Sequence, residues 1–151
     1  MAPFIALVGS FVLFRLCGYL GLSYFDSWQT SLQCAVAIML LLTASAHWGK
    51  LRPDLVRMVP DAFSKPGLIV TVTGWLEIAG AVGIVIPAFS GLAAIGLALL
   101  LVAMFPANVR AAREKLTLGG RPVPGLAIRT ALQIFFIVAI LFAGFGIPAG
   151  S

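Results

Sequence analysis

Five long apolar segments, separated by short polar connections, constrain the fold of this chain more than any other feature. Each is close to the ~20 residues that an α-helix needs to cross the hydrocarbon core of a bilayer. Helices are expected because an isolated strand leaves its backbone unsatisfied in lipid, and the ~10-residue alternation of a β-barrel is not visible. The segments cover residues 3–22, 31–48, 67–87, 91–109 and 127–147.

Composition supports a membrane environment. The 151 residues are 61% hydrophobic and 10% charged, whereas soluble domains are about 45–50% apolar and about 25% charged. A soluble domain this small buries too little of its surface to hide so many apolar side chains. The sequence therefore predicts an all-α membrane protein and excludes an ordinary soluble, disordered or disulfide-rich secreted chain.

The net charge of +5 is distributed on one side of this arrangement. The connections 49–66 and 111–126 carry the loop lysines and arginines, whereas the connections 23–30 and 88–90 carry none. Cytoplasmic loops are enriched in Lys and Arg. We therefore predict a multi-pass protein of the cytoplasmic (inner) membrane, with its N-terminus cytoplasmic and its C-terminus outside. The charge reflects orientation in the lipid bilayer, and we expect no nucleic-acid partner.

The chain reads as a single membrane domain over residues 1–151. Residues 52–63 begin with Arg52-Pro53 and mix apolar and polar positions, which favours a short interfacial helix after span two over a plain loop. The N-terminus lacks the basic region of a signal peptide, so we expect span one to stay uncleaved. Cys17 and Cys34 fall at comparable depth, which leaves open both a redox pair and two buried free thiols.

Two ionisable residues fall inside spans, where a charge is expensive and is a functional candidate. Glu77 is near the middle of span three, and Arg15 is in span one at a similar count from the cytoplasmic end. A single uncompensated charge in hydrocarbon would cost several kcal/mol or change its protonation. We therefore predict a buried ion pair between Arg15 and Glu77.

A second set of polar residues falls in the cytoplasmic half of the spans. His47 and Asn108 close spans two and four, while Arg129 and Gln133 open span five, one helical turn apart. One interpretation is a polar pocket with Glu77 and His47 in its wall. The other is a set of separate structural roles, with Arg129 snorkelling to the headgroups, His47 anchoring at the interface and Asn108 capping a helix end.

The order of several short motifs resembles the DoxX-like family of small integral membrane proteins. The resemblance runs over residues 32–142 and rests on Ala46-His47-Trp48, Met58-Val59-Pro60, Gly74-Trp75-Leu76-Glu77-Ile78 and Phe105-Pro106-Ala107-Asn108-Val109. That family is built on a four-helix membrane bundle. The resemblance implies such a bundle over residues 31–147, with the span at 3–22 as an addition. Some family members are linked to thiosulfate:quinone oxidoreduction, thiol or oxidative stress complexes, or receptor assembly.

Two functions follow as hypotheses. The first is a subunit of a membrane redox system that binds quinone or another lipophilic molecule. Glu77 or His47 would donate or accept the proton that accompanies electron transfer, and Asn108 or Gln133 would hydrogen-bond a carbonyl. The candidate ligand-binding residues are Asn108, Arg129, Gln133, Trp75 and Arg15.

No metal, haem or flavin motif is present, so electrons would come from a partner. The alternative is a non-catalytic anchor, assembly factor or lipophilic-ligand binding subunit of a larger complex. The other possible partner is a second copy of the chain, in a homo-oligomer. Transport is a weaker third possibility, because five spans without an internal repeat do not suggest alternating access.

Overall fold

Long apolar helices dominate the computed structural model, which describes residues 1–146. Five of the six α-helices in this part are long and apolar enough to cross a membrane. The predicted all-α membrane fold with five spans is confirmed. The helices are α1 (Ala2–Tyr19), α2 (Trp28–Ser45), the short α3 (Arg52–Met58), α4 (Pro66–Val85), α5 (Ser90–Arg113) and α6 (Leu126–Phe145).

The helix ends differ from the predicted span ends for local reasons. α1 stops at Tyr19 because the chain turns at Gly21, which has a φ of +103°, and then forms a 3-10 turn over Ser23–Phe25. α5 continues past the predicted end at residue 109 to Arg113, with Pro106 inside it and two arginines in its last turn. Cations there interact favourably with the helix dipole. The predicted end of span five, Ile147, lies outside the described residues.

Four of the spans form a closed bundle. α2 packs against α4 and α6, and α5 packs against the same two helices from the other side, while α1 lies against α2. Small residues bring the helices close together, as expected for packing in lipid. A Cβ on Gly80 would lie 2.3 Å from the Leu97 side chain. The bundle core contains Val36, Met39, Ile84, Leu97 and Ile140.

Both basic connections lie at the same end of the bundle. α3 contacts α4, α5 and a two-stranded hairpin, β1 (Thr117–Leu118) and β2 (Arg121–Pro122). The interfacial helix expected at residues 52–63 is thus present but ends at Met58. The hairpin was not predicted, although Gly119-Gly120 is a recognisable signal, because both glycines adopt the positive φ of a tight two-residue turn.

A carboxylate ties this hairpin to α3. The backbone N–H of Gly119 donates to Asp54 Oδ2 at 2.8 Å, and Arg57 donates to the same carboxylate. The Gly119 bond first, and Arg57 second, lower the pKa of Asp54 below its usual range. On the neighbouring helix, Arg110 donates to Asp61 at 2.8 Å. The basic end of the bundle is therefore a folded layer rather than two independent loops.

Candidate functional site

Glu77 lies in the bundle interior, where only 4% of its surface is exposed. The Thr43 hydroxyl donates to Glu77 Oε2 at 2.8 Å. His47 is equally buried, and its Nε2 lies 4.0 Å from Glu77 Oε1. These three residues, Thr43, His47 and Glu77, are the carboxylate site. The structure thus brings together the two residues predicted to exchange a proton.

The tautomer of His47 follows from its second ring nitrogen. Nδ1 lies 3.1 Å from the Thr43 carbonyl oxygen, which only accepts hydrogen bonds, so Nδ1 carries a hydrogen. Nε2 is then left to accept or release a proton on the side that faces Glu77. The 4.0 Å separation is too long for a direct hydrogen bond. An oxygen atom placed to one side of the line between Nε2 and Oε1 would be within hydrogen-bond distance of both atoms.

The short length of α2 creates this site. α2 ends at Ser45, and the chain turns at its end so that His47 and Trp48 cross over α4 at Gly74. A Cβ on Gly74 would lie 2.7 Å from the Trp48 ring and 2.8 Å from His47 Cβ. Only glycine permits this approach. The imidazole therefore reaches Glu77, the twelfth residue of α4, because position 74 has no side chain.

Arg52 was not predicted as part of the site, yet it fixes the end of α2 to the start of α4. Its Nη1 donates to the His47 carbonyl at 2.7 Å. Its Nη2 donates to the Gly67 carbonyl and to the Thr71 hydroxyl, each at 3.0 Å. The sequence gives no signal for this role, because loop arginines beside a membrane are explained equally well by orientation.

A second polar group, the amide site, joins α5 to α6. Arg129 Nη2 donates to Asn108 Oδ1, and Asn108 Nδ2 donates to Gln133 Oε1 at 2.8 Å. Gln133 Nε2 in turn donates to the Leu101 carbonyl at 2.9 Å. Three predicted ligand-binding residues therefore do come together. They bond to each other rather than to His47 or Glu77, so the hydrogen bonds define two groups instead of one continuous pocket wall.

The predicted ion pair between Arg15 and Glu77 is wrong. Arg15 Nη1 donates to the carbonyl oxygens of Phe25 and Asp26, at 3.0 and 2.6 Å, and its guanidinium lies over the Tyr19 ring. Arg15 is four residues from the end of α1, whereas Glu77 is eight residues from the end of α4. At ~1.5 Å per residue, these depths differ by roughly 6 Å. Counting from the other ends of these helices, at Ala2 and Pro66, gives a smaller difference, because α4 has 20 residues and α1 has 18.

Trp75 and the two cysteines also lie outside the carboxylate site and the amide site. Trp75 is 60% exposed on the outer surface of α4, where it packs edge-on against Trp48 with ring centroids 5.4 Å apart. This exposed position gives no support to the predicted ligand-binding role of Trp75 inside the bundle. Cys17 and Cys34 are both free thiols, so the redox pair that the sequence left open does not form in this structure.

A separate apolar cleft of about 300 Å³ lies between α1, α2 and α6. Its wall includes Leu7 and Phe11 from α1 and Trp28 from α2. α6 contributes Phe135 and Phe142, whose rings contact Phe4 and Trp28. The cleft was not predicted, because the pattern of apolar and polar residues along one helix does not show where three helices leave space between them.

Comparison with known families gives one match. Residues 36–143 match the domain of unknown function DUF8561. The chain belongs to the DUF8561 family. The DUF8561 region extends from within α2 to near the end of α6, so it contains both polar sites and leaves α1 outside. Neither the search of curated proteins nor the search of solved structures found a match.

The interior of the DUF8561 region contains a buried carboxyl group and a buried imidazole. Within residues 1–146, no group of three or more His, Cys, Asp or Glu side chains is arranged to hold a metal ion. The carboxylate site holds one carboxyl and one imidazole that face each other across 4.0 Å. A carboxyl–imidazole pair of this kind can exchange a proton with a hydrogen-bonding ligand.

Proposed function

We propose that the protein is an integral subunit of a membrane redox system, and that its carboxylate site binds the carbonyl oxygen of a quinone or a similar lipophilic molecule. A lipid-soluble substrate reaches such a site from within the bilayer. The proposal rests on one observation above all. His47 Nε2 and Glu77 Oε1 face each other at 4.0 Å, with the imidazole oriented by the Thr43 carbonyl.

The geometry suits exchange of protons with a bound oxygen. Glu77 protonated beside neutral His47, or ionised beside protonated His47, leaves the pair with no net charge in either form, so both forms are tolerated in a buried site. Reduction of a quinone to a quinol takes two electrons and two protons. In this proposal the pair passes the protons one at a time and is refilled from water at the basic end, while a redox partner supplies the electrons.

Extraction of the purified protein tests this function. The protein, isolated in mild detergent, is extracted with organic solvent and its quinone content is measured. We expect bound quinone in the wild type, and a loss of at least about tenfold in Glu77→Gln and His47→Ala, because Glu77→Gln removes the titratable carboxyl group and His47→Ala removes the imidazole of the proposed proton-exchanging pair.

Glu114→Gln is the matched control, since Glu114 is a carboxylate at the exposed end of α5 that pairs with Arg110. Its quinone content should equal that of the wild type. A wild type without quinone, or equal quinone content in all four proteins, would contradict the proposal.

A second candidate is a non-catalytic subunit that binds a lipophilic molecule or anchors a larger complex. The apolar cleft between α1, α2 and α6 favours this candidate. A cleft of about 300 Å³ with apolar walls can bind a hydrocarbon group without catalysing a reaction. Under this hypothesis the protein co-purifies with a larger complex, and Glu77→Gln leaves both its partners and its lipid content unchanged.

The proposal also covers the orientation of the protein in the membrane and its relation to DoxX-like proteins. Nine of the ten Lys and Arg residues of the chain, all but Arg15, lie at or beside the basic end. This supports a cytoplasmic position for that end and for the N-terminus, with the C-terminus outside. The motifs around His47, Glu77 and Asn108 support kinship with DoxX-like proteins. A C-terminal reporter tag that is active in the cytoplasm would contradict the orientation.

A further inference from the structure

Among residues 1–146, no carboxylate forms an ion pair with Arg129. The chain has five acidic residues. Asp54 pairs with Arg57, Asp61 and Glu114 pair with Arg110, and Glu77 faces His47. The fifth, Asp26, follows the 3-10 turn between α1 and α2, at the opposite end of the bundle from Arg129. Every carboxylate at the Arg129 end is therefore engaged elsewhere.

The hydrogen bonds of Arg129 are also incomplete. Among residues 1–146 its guanidinium makes one side-chain hydrogen bond, to Asn108. Its Nε is buried and has no hydrogen-bond partner in the part of the chain that the structure describes. A buried N–H without an acceptor is destabilising, and such groups in native structures usually have a partner such as water or a ligand. Within this described part, the guanidinium of Arg129 therefore has unused donors and no carboxylate paired with its charge.

The amide site holds this guanidinium in a defined position. Asn108 and Gln133 are oriented by a one-way chain of hydrogen bonds that ends on the Leu101 carbonyl. Each amide oxygen of Asn108 and Gln133 accepts one of these bonds, and each amide nitrogen donates one, so each amide nitrogen keeps a second N–H that can donate. A fixed guanidinium with free donors is suited to an oxyanion, and arginine is the side chain best matched to phosphate oxygens.

We propose that Arg129, held by Asn108 and Gln133 at the start of α6, binds a phosphate group. Arg129 is the fourth residue of α6, so it lies roughly one turn inside the basic end of the bundle. The phosphate of a lipid headgroup reaches this depth, as does free phosphate from the water. This binding site goes beyond the redox function proposed for the carboxylate site and does not depend on it.

Ligand-dependent unfolding of the purified full-length protein tests the site. Phosphatidylglycerol, phosphatidylcholine and inorganic phosphate are titrated separately, and the apparent affinity is taken from the rise in unfolding temperature. We expect tighter binding of phosphatidylglycerol than of phosphatidylcholine. We expect Arg129→Gln to weaken phosphatidylglycerol binding at least about tenfold, as for loss of a charge-assisted hydrogen bond.

Arg121→Gln is the matched control, because it removes the same charge from the exposed strand β2. It should change the affinity by less than about twofold, since exposed charges contribute little. Arg129→Lys retains the charge but lacks the Nε–H, so it serves if Arg129→Gln does not fold. We expect Arg129→Lys to bind with an affinity between those of the wild type and Arg129→Gln.

The two phosphate sources give different results. Stabilisation by inorganic phosphate that Arg129→Gln abolishes, without a preference for phosphatidylglycerol, would support the site and assign it to free phosphate. Equal losses in Arg129→Gln and Arg121→Gln would overturn it, because the effect would then be one of total charge. Absence of binding by all three probes would also overturn it. Neither result bears on quinone content, so this site and the redox function can fail independently.

Discussion

The two polar sites of this bundle solve the problem of burying charge in opposite ways. At the carboxylate site, Glu77 faces an imidazole that can carry the opposite charge, and the Thr43 hydroxyl donates to one carboxylate oxygen. At the amide site, Arg129 donates to the neutral amide of Asn108, which Gln133 orients and which does not balance the charge. Charge balance therefore suits the first site to proton exchange, while the unbalanced cation suits the second to an anionic ligand.

The largest effect is expected from a substitution of Gly74, which lies beside His47 of the carboxylate site. We expect Gly74→Ala to destabilise the protein by up to about 3 kcal/mol, because the added Cβ would overlap Trp48 and His47. Thermal unfolding in detergent measures the loss. Gly96→Ala is the control, since position 96 is also within a helix but a Cβ there meets nothing within 4 Å. Equal stability of the two variants would show that the crossing at Gly74 is not tightly packed.

A smaller effect is expected at the amide site from Gln133→Leu. This change removes the bond from Asn108 and the bond to the Leu101 carbonyl. Interhelical hydrogen bonds in membranes contribute about 0.6 kcal/mol on average, and buried groups left unpaired add to the cost. We expect a loss of about 1–2 kcal/mol in unfolding free energy.

Gln29→Leu is the control for that change. Gln29 donates to the Ala143 carbonyl at 3.3 Å, but Gln33 donates to the same oxygen at 3.0 Å. Because the acceptor keeps a partner, Gln29→Leu should be the milder variant. If it destabilises the protein as much as Gln133→Leu, the amide site has no special structural importance.

The smallest effect is expected from Thr43→Val at the carboxylate site. Valine keeps the shape of threonine but removes the donor to Glu77 Oε2. We expect a loss of about 0.5–1 kcal/mol in thermal unfolding. Thr73→Val provides the comparison, because the Thr73 hydroxyl bonds only to carbonyls of its own helix, at Ile69 and Val70. Equal effects of the two variants would mean that the Glu77 bond adds nothing to stability.

Apolar span length and the positions of charges were sufficient to predict most of the fold. All five spans are present with ends shifted by a few residues, and the two basic connections meet at one end. These features depend on the cost of exposing backbone and charge to lipid, which is a property of each segment alone. Glu77 was recognised as a candidate for the same reason.

The hydrogen-bond partners of the charged side chains could not be predicted in the same way. Arg15 and Glu77 appeared to match in depth, yet Arg15 bonds to the Phe25 and Asp26 carbonyls and Glu77 to Thr43. Arg52 appeared to be an orientation charge, yet it joins His47 to Gly67 and Thr71. Depth along a span has an error of several residues, whereas a hydrogen bond requires agreement within a few tenths of an ångström.

The sequence by itself determined that this chain crosses a membrane five times and which of its charges are exceptional. The tertiary structure decided how those charges are satisfied. The approach of His47 to Glu77 depends on a missing side chain at Gly74 and on the early end of α2. Hydrophobicity acts on segments and is additive along the chain, whereas pairing depends on the close approach of particular atoms from different helices.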